Sequence, residues 1–383
     1  MKKTLFLFLI SILIISCKND IDDNSTNQSK TIENNELITL KSGIVVEKRG
    51  DLYIFGGDMI LSSLQLKSLD EKGNLLGDND IPEDKADTSI HPVFNLPMST
   101  LEGDNKTLSR NLGINANPYR LWAMVRFTYG ASILNHPNRD MFQARIRKAM
   151  QQIQSQTNVR FYNATGQPTV DPTWGFSYPY IEMNYVGGID VSTSSGIGRN
   201  PSGGRQFVNL ANFAFPPFDY YNVPVIVHEL LHAIGMMHEQ NRPDRDSYVT
   251  INTSNLTPAG RGQFQKIITN YSYIGGYDYN SVMGYSSYTS SSSMVYDTSK
   301  PMYTKKDQSS INQGEILSNL DRIWLNNYHL PYIARSDVYT ELDEVVYGPN
   351  NTVLTANERR QLQARINNGN PNPPSGGRIP NNL

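Results

Sequence analysis

Three histidines that fall within eleven residues restrict the folds open to this chain. They lie in the segment 228–239, which reads HELLHAIGMMHE and holds half of the six histidines in the 383 residues. On a helix His228 and His232 are four residues apart, so both imidazoles project from one face and can meet one Zn²⁺ at about 2.0–2.1 Å. Gly235 tolerates the left-handed conformation that ends a helix, which lets the chain turn and bring His238 to the same ion. The segment therefore predicts a zinc site with three protein ligands.

The same segment carries a candidate general base. We predict a helix over residues 223–235, since Asn222 can cap it and Pro224 suits its first turn. Glu229 then lies beside the first ligand, where its carboxylate can hydrogen-bond a metal-bound water instead of the metal. Three protein ligands leave a zinc position open for that water, whereas structural zinc sites are closed by four ligands. Zinc lowers the pKa of such a water to about 7, and Glu229 can take its proton and pass it to a leaving amine.

The amino-terminal residues have the order of an export signal. Lys2 and Lys3 precede an apolar run over residues 5–15, which is too short to cross a bilayer as a helix. The run ends in IISC at residues 14–17, which resembles the lipobox of bacterial lipoproteins, in which the cysteine is lipidated. An ordinary signal peptide with an incidental cysteine is the alternative. Cys17 is the only cysteine, so the chain cannot form an intramolecular disulfide.

Pattern and composition indicate globular regions between two polar ends. Residues 18–36 are polar and predict a flexible tether, while 366–383 are rich in Asn, Gly and Pro and predict a disordered tail. The elements predicted between them include a helix over 141–157 with one apolar stripe and strands over 180–186 and 206–210. With 34 basic against 36 acidic residues, the chain lacks the basic surplus that a nucleic-acid partner requires.

Three motifs together resemble the astacin branch of the metzincin zinc peptidases. The first is the histidine segment with Glu239 directly after the third ligand, the second is NRPDRDSYV at 241–249, and the third is YDYNSVMGY at 277–285, which is similar to the astacin Met-turn. The resemblance covers about residues 110–331. It implies an α+β fold with a twisted mixed sheet and the active-site helix in an N-terminal subdomain, an irregular C-terminal subdomain, and a cleft between them. It also implies a secreted zinc endopeptidase that acts on proteins or peptides.

The resemblance assigns further roles within and before these motifs. Met283 would lie under the zinc as a hydrophobic floor, and Tyr285 would ligate zinc at rest and swing away to stabilise the transition state. Glu239 would accept a salt bridge from the amino terminus of the activated enzyme. The run FGGD, which ends at Asp58, resembles a prosegment motif whose aspartate occupies the zinc position meant for water, although Gly-Gly-Asp is also ordinary turn chemistry. Two features depart from the family: Gly284 replaces a usual histidine, and the usual disulfides are absent.

Together these features predict five consecutive regions. They are a lipoprotein signal peptide with its lipobox (1–17), the tether (18–36), a prosegment (37–110), an astacin-like catalytic domain (111–331) and a C-terminal extension with the disordered tail (332–383). A cut near Arg110 would free an α-amine for Glu239 and release a soluble enzyme, while lipidated Cys17 stays in the membrane. The resemblance also implies that an extended substrate pairs with an edge strand near residues 194–199.

Two alternatives to this interpretation remain. Another metzincin branch, such as the adamalysins or matrixins, differs after the third histidine and lacks a tyrosine two residues past the methionine. A surface lipoprotein that keeps the fold but is catalytically weak and binds proteins or glycans would usually have lost Glu229. We therefore predict a zinc-dependent metalloendopeptidase, made as an aspartate-switch proenzyme and held at a bacterial membrane through Cys17 until activation.

Overall fold

The structure, a computed structural model, describes residues 35–73, 75, 110–114, 121–187, 191–200, 202–215, 222–267, 271–381 and 383. The predicted signal peptide, Cys17 and nearly all of the predicted tether lie outside these residues. No helix in the described part is both long and apolar enough to cross a membrane. The fold class predicted from the sequence, an α+β arrangement with a mixed sheet and an active-site helix, is confirmed.

Most of the strands form one mixed sheet. The strands are β1 (Asn35–Thr39), β2 (Val45–Arg49), β3 (Leu52–Phe55), β4 (Met59–Ile60), β5 (Arg110–Ile114), β6 (Val125–Tyr129), β7 (Phe161–Asn163), β8 (Tyr180–Tyr185), β9 (Thr193–Ser195), β10 (Arg205–Leu210), β11 (Val249–Ile251), β12 (Tyr271–Ile274), β13 (Tyr303–Lys305), β14 (Tyr332–Ile333) and β15 (Glu341–Leu342). The sheet has nine strands in the order β1-β2-β3-β4-β9-β10-β8-β6-β7. The strands predicted over 180–186 and 206–210 correspond to β8 and β10.

The sheet joins two parts of the chain at one edge. Strands β1 to β4 pair antiparallel with one another, and β4 then pairs parallel with β9. Strand β9 is antiparallel to β10, while β10, β8, β6 and β7 are parallel. The strands from the predicted prosegment therefore extend the sheet at β9, the edge that we predicted to bind substrate.

The helices pack on this sheet and around it. They are α1 (Ser63–Lys72), α2 (Ala131–Leu134), α3 (Arg139–Gln154), α4 (Asn222–Ile234), α5 (Pro258–Gln263), α6 (Asn319–Tyr328) and α7 (Ala356–Ile366). Helices α3 and α4 correspond to the two predicted helices. The predicted stripe of α3 is buried in the main core: Phe142, Ile146, Met150 and Ile153. Since residues three and four apart share one face of a helix, this stripe fixed which face of α3 packs inward.

Helix α1 has no counterpart in the sequence prediction, because its few apolar residues show no clear helical period. The sequence signals for this helix are the capping residues at its two ends. The Ser62 side chain accepts a hydrogen bond from the Gln65 amide at 3.2 Å, and the Gln65 side chain accepts one from the Ser62 amide at 2.9 Å. This is a capping box. Gly73, with φ 69°, closes the helix in the left-handed conformation.

The chain after α4 is mostly irregular, as predicted. Short two-stranded sheets join β11 to β13, β12 to β5 and β14 to β15. A second core supports this part, and its buried members are Val249, Leu256, Phe264, Tyr277, Val295, Met302, Tyr303 and Ile311.

The carboxyl-terminal residues are not the disordered tail that their composition predicts. The buried Arg335 guanidinium donates to Glu341 at 2.5 Å, and Glu341 also accepts from Arg378. Asn381 reaches the main sheet, where its side-chain oxygen accepts from the Asn163 amide at 3.0 Å. The partner of Arg378 lies 37 residues away in the chain and that of Asn381 lies 218 residues away, so local composition could not reveal these contacts.

Candidate metal and active site

Helix α4 crosses the core and carries the first two histidines. Its apolar side chains are buried: Val223, Ile226, Val227, Leu230, Leu231, Ala233 and Ile234. His228 is 5% exposed and His232 is fully buried. Buried polar rings cost free energy unless their nitrogens find partners. The partners of these two rings therefore define the site.

Gly235 ends α4 and redirects the chain. Its φ of 128° lies in the region that favours glycine, and a Cβ here would also lie 3.4 Å from Trp324. The amides of Gly235 and Met236 both donate to Leu231 O at 2.9 Å. After this turn His238 returns to the helix, so that its Nε2 lies 3.0 Å from Nε2 of His228.

The three imidazoles cannot satisfy one another's hydrogen-bonding capacity. Nδ1 of His228 and Nδ1 of His232 each lie 2.8 Å from a backbone carbonyl, of Val282 and Met236 respectively. A carbonyl only accepts, so both Nδ1 atoms donate and both Nε2 atoms carry lone pairs. These lone pairs converge with Nε2 of His238, which lies 3.0–3.2 Å from both, and a cation relieves their repulsion. Neutral imidazole held by a carbonyl on its other nitrogen is a usual zinc ligand, so His228 and His232 fit a zinc ion, to which Nε2 of His238 adds a third donor.

Asp58 completes this cluster from the turn between β3 and β4. Its carboxylate and the three imidazoles are buried and offer ligand atoms that all lie within 4.8 Å of one another. Its Oδ2 lies 3.1 Å from Nε2 of His238, while its Oδ1 is buried without a hydrogen-bond partner. Burial opposes ionisation, yet the imidazoles, with His238 first, hold the pKa of Asp58 well below its usual range. No other group of this kind occurs in the described ranges.

The turn before Asp58 requires glycine at two positions. Gly56 and Gly57 have φ values of 64° and 98°. A Cβ on Gly56 would lie 3.3 Å from Nδ1 of His238, and a Cβ on Gly57 would lie 2.3 Å from the side-chain oxygen of Gln263. The FGGD run therefore combines a left-handed turn with close approach to the histidine cluster.

Glu229 lies one residue after the first histidine and is 3% exposed. Its Oε2 is buried and has no hydrogen-bond partner. Burial, and after it the charge of Asp58, raises the pKa of Glu229 well above its ordinary value. A buried carboxyl oxygen without a protein partner is costly, which indicates that its partner comes from outside the chain. A water molecule or a substrate group fits this description.

Tyr285 packs against His238, the third histidine of the cluster. Its ring centroid is 4.7 Å from that of His238. Its hydroxyl donates to Gly56 O at 2.8 Å and lies 3.3 Å from the side-chain oxygen of Gln263. Burial, followed by the charge of Asp58, raises the pKa of this hydroxyl well above its ordinary value. The hydroxyl is therefore neutral here and bonded to the backbone of the predicted prosegment.

Met283 and Glu239 are joined by a backbone hydrogen bond. Met283 is 1% exposed in the main core, and its carbonyl accepts from the Glu239 amide at 3.1 Å. Oε1 of Glu239 accepts from Arg242 at 3.1 Å and from the Asp278 amide at 2.8 Å. Burial raises the pKa of Glu239 to about 8 against the opposing effect of Arg242. The sequence predicts that a new α-amine pairs with Glu239. In the structure Glu239 already has one cationic partner, Arg242, so the α-amine would be its second.

Asp321 supports the cluster and was missed from the sequence. It is 1% exposed, and its two oxygens accept from the Ser281 hydroxyl at 2.7 Å and from the Val282 amide at 3.1 Å. The Val282 carbonyl in turn accepts from His228. Asp321 therefore holds the residue whose carbonyl orients the first histidine. The Ser318-x-x-Asp321 capping box of α6 was the available signal, although it marks a helix start and not this contact.

Comparisons with known proteins agree with this geometry. A family model described as Astacin, a peptidase family, matches residues 114–329, more than half of the chain. The chain is 31% identical over 196 residues to flavastacin of Elizabethkingia meningoseptica, which covers 51% of this chain and 38% of that protein. It is 25% identical over 306 residues to zinc metalloproteinase nas-11 of Caenorhabditis elegans, which covers 75% of this chain and 48% of that protein.

One solved structure is also similar. It is high choriolytic enzyme 1, a hatching enzyme zinc-protease from Oryzias latipes, with a TM-score of 0.42 and 24% identity over 55% of this chain and 94% of that one. The chain spans less than half the length of the two curated relatives above.

Proposed function

The chain belongs to the astacin family of zinc peptidases, and on that premise we propose that it is a metalloendopeptidase that hydrolyses peptide bonds in proteins. The observation that carries the proposal is the buried cluster of His228, His232 and His238, with the unpartnered carboxyl oxygen of Glu229 beside it. This cluster fits one zinc ion. Family membership sets aside the adamalysin and matrixin alternatives.

The side chains of the site have separate roles in peptide hydrolysis. Zinc, when bound by the three histidines, supplies Lewis acidity, which polarises a carbonyl and lowers the pKa of a water molecule to about 7. Glu229 accepts the proton of that water at its free oxygen and passes it to the leaving nitrogen. Tyr285, once its hydroxyl is free of Gly56, donates to the carbonyl oxygen as negative charge develops there.

A peptidase assay with and without a chelator tests this function directly. Once the prosegment has been removed, we expect hydrolysis of casein or gelatin that stops with the chelator and returns with added Zn²⁺. The alternative of a catalytically weak binding lipoprotein predicts no hydrolysis in any of the three conditions. Retention of Glu229 favours the enzyme, because binding alone has no use for a buried, unpartnered carboxyl group.

Tyr285→Phe tests the second catalytic group. In the activated enzyme we expect kcat to fall about 10- to 100-fold with KM little changed, since the hydroxyl acts mainly in the transition state. Steady-state kinetics on peptide substrates measure both parameters. Tyr288→Phe, at a tyrosine that is 51% exposed, is the matched control and should behave as the parent. Loss of zinc or of the fold in Tyr285→Phe would instead assign this tyrosine a structural role.

Asp58→Ala tests latency of the full-length chain. The carboxylate oxygens of Asp58 lie 3.1–3.6 Å from Nε2 of all three histidines, so removal of this group should raise basal activity or hasten self-processing. A fluorogenic peptide assay of the uncut protein and a time course on gels measure the two effects. Asp51→Ala changes an exposed aspartate in the same prosegment and is the control. Equal latency of Asp58→Ala and Asp51→Ala would count against the aspartate as the switch.

We further propose that the proenzyme is exported and anchored through lipidated Cys17, and that cutting near Arg110 creates the amino terminus that joins Glu239. The backbone of Arg110 is paired with Ile274 across β5 and β12. A protease that binds its target in extended form would need this pairing to open first. Mass spectrometry of the membrane-bound form and amino-terminal sequencing of the active form test the two parts separately.

A further inference from the structure

The described residues of the proposed prosegment, 35–73 and 75, are called the pro lobe below. It contains strands β1 to β4 and the capped helix α1. Most of the buried apolar side chains of the pro lobe form one cluster with two residues from the catalytic domain, Ile197 and Met237. The members from the lobe are Leu40, Val46, Phe55, Met59, Leu61, Leu69 and Leu75. The core of the pro lobe is therefore completed by the surface on which the lobe lies.

The pro lobe is also bound by its backbone. The amide of Ser194 donates to Asp58 O at 3.0 Å, and the amide of Gly196 donates to Ile60 O at 3.0 Å. These bonds add β4 to the edge strand β9, which is the strand that an extended substrate would need. They depend on neither a metal ion nor the Asp58 carboxylate, so they remain when the switch aspartate is removed.

A third set of contacts lies on the segment that follows α5. The Gln265 side chain accepts from the Val45 amide at 2.9 Å and lies 3.4 Å from Gly43 O, so one amide group contacts both sides of the β1–β2 turn. Ile267 packs against the apolar cluster of the pro lobe. Tyr285 and Gln263 contact Gly56 and Gly57 on the same side of the lobe. The pro lobe is thus held by the sheet edge on one side and by this segment on the other.

We propose that this surface binds the pro lobe without a covalent link, so that one cut between the lobe and the catalytic domain leaves the enzyme latent. Activation then requires a second event that digests or displaces the lobe. The inference rests on the proposed peptidase function and adds a regulatory step to it. The chain between the lobe and the catalytic domain only raises their effective concentration for each other. The contacts described above give the two fragments an affinity that persists after this chain is cut. A lipid on Cys17 would hold the cut enzyme at the membrane through the lobe, in contrast to the simple release predicted from the sequence.

The test uses the full chain with a recognition site for an exogenous, highly specific protease inserted between residues 79 and 105, which lie outside the described residues. After complete cutting, we expect the two fragments to co-elute in size-exclusion chromatography at about 1 µM, which corresponds to a Kd well below that concentration. Hydrolysis of a small fluorogenic peptide should stay below about one tenth of the value reached after the lobe is digested.

A pair of matched variants links this behaviour to the surface. Gln265→Ala with Ile267→Ser removes contacts on the catalytic side that take no part in the proposed chemistry, and the cut fragments should separate at least about tenfold faster. Gln361→Ala with Ile316→Ser makes the same changes at exposed positions and should co-elute as the parent does.

Each outcome separates the inference from the proposed function. Fragments that separate on cutting, with full activity of the catalytic fragment, overturn the inference and leave the function intact. Fragments that co-elute, with activity appearing only after digestion of the lobe, support both. Co-elution without hydrolysis at any stage supports the binding surface and contradicts the proposed function.

Discussion

Glu229→Gln is expected to lower peptide hydrolysis by about 10³-fold or more, while zinc content and fold stay as in the parent. General acid–base catalysis typically contributes about 10²- to 10⁴-fold, and this carboxyl group is proposed to act in two proton transfers. Glutamine has the same shape but cannot accept the proton of water. Turnover of the activated enzyme and metal content would be measured on the same sample.

The structure predicts that Glu229→Gln folds normally. The replaced group is buried, and its Oε2 has no protein partner, so the exchange breaks no contact at that atom. Glu182→Gln makes the same exchange on β8, where the carboxylate pairs with Arg205 at 3.4 Å, and should leave turnover unchanged. Near-parental turnover in Glu229→Gln would show that Glu229 is not the general base, because loss of that base must lower turnover.

His232→Ala is expected to abolish both zinc binding and hydrolysis. Even loss of a group that only orients a ligand typically costs about 10- to 100-fold in metal affinity, so loss of a ligand should cost more than about 100-fold. His232 is fully buried, with its Nδ1 held by the Met236 carbonyl, so the substitution removes an oriented ligand from the cluster. Competition against a zinc-sensitive dye measures the affinity, and far-UV circular dichroism reports the fold.

His136→Ala is the matched control for His232→Ala. His136 packs on Phe142 outside the cluster, with ring centroids 4.6 Å apart, so its removal should leave zinc affinity at the parental level. A zinc-loaded and active His232→Ala would mean that the ion binds elsewhere. The proposed metal centre would then be wrong, whatever the family of the chain.

The metal cluster could be predicted from the sequence because its geometry is local. His228 and His232 share a face of one helix through a spacing of four residues, and Gly235 supplies the turn that returns His238. Backbone geometry over eleven residues therefore sets most of the site. The same reasoning gave the buried face of α3, since an apolar period specifies which side of a helix packs inward.

Other features depended on residues far apart in the sequence. Asp58 meets His238 across 180 residues, and a resemblance suggested that contact, whereas no spacing could have done so. Asp321 supports the Met-turn from about 40 residues away, and the capping box that it forms marks only a helix start. Buried hydrogen bonds of this kind form only when packing excludes water from both partners, so they belong to the folded chain and not to a local pattern.

The sequence by itself determined the metal-binding motif, the helix that carries it and the family, because each depends on residue types at short fixed spacings. Only the tertiary structure decided how the residues of the predicted prosegment pair with the sheet and where the carboxyl-terminal residues contact it. Strand β4 joins β9 through backbone amides and carbonyls, which every residue possesses, whereas Asn381 joins the main sheet through its side-chain amide. Backbone pairing carries little sequence signal, and its register is set by the packing of distant apolar side chains.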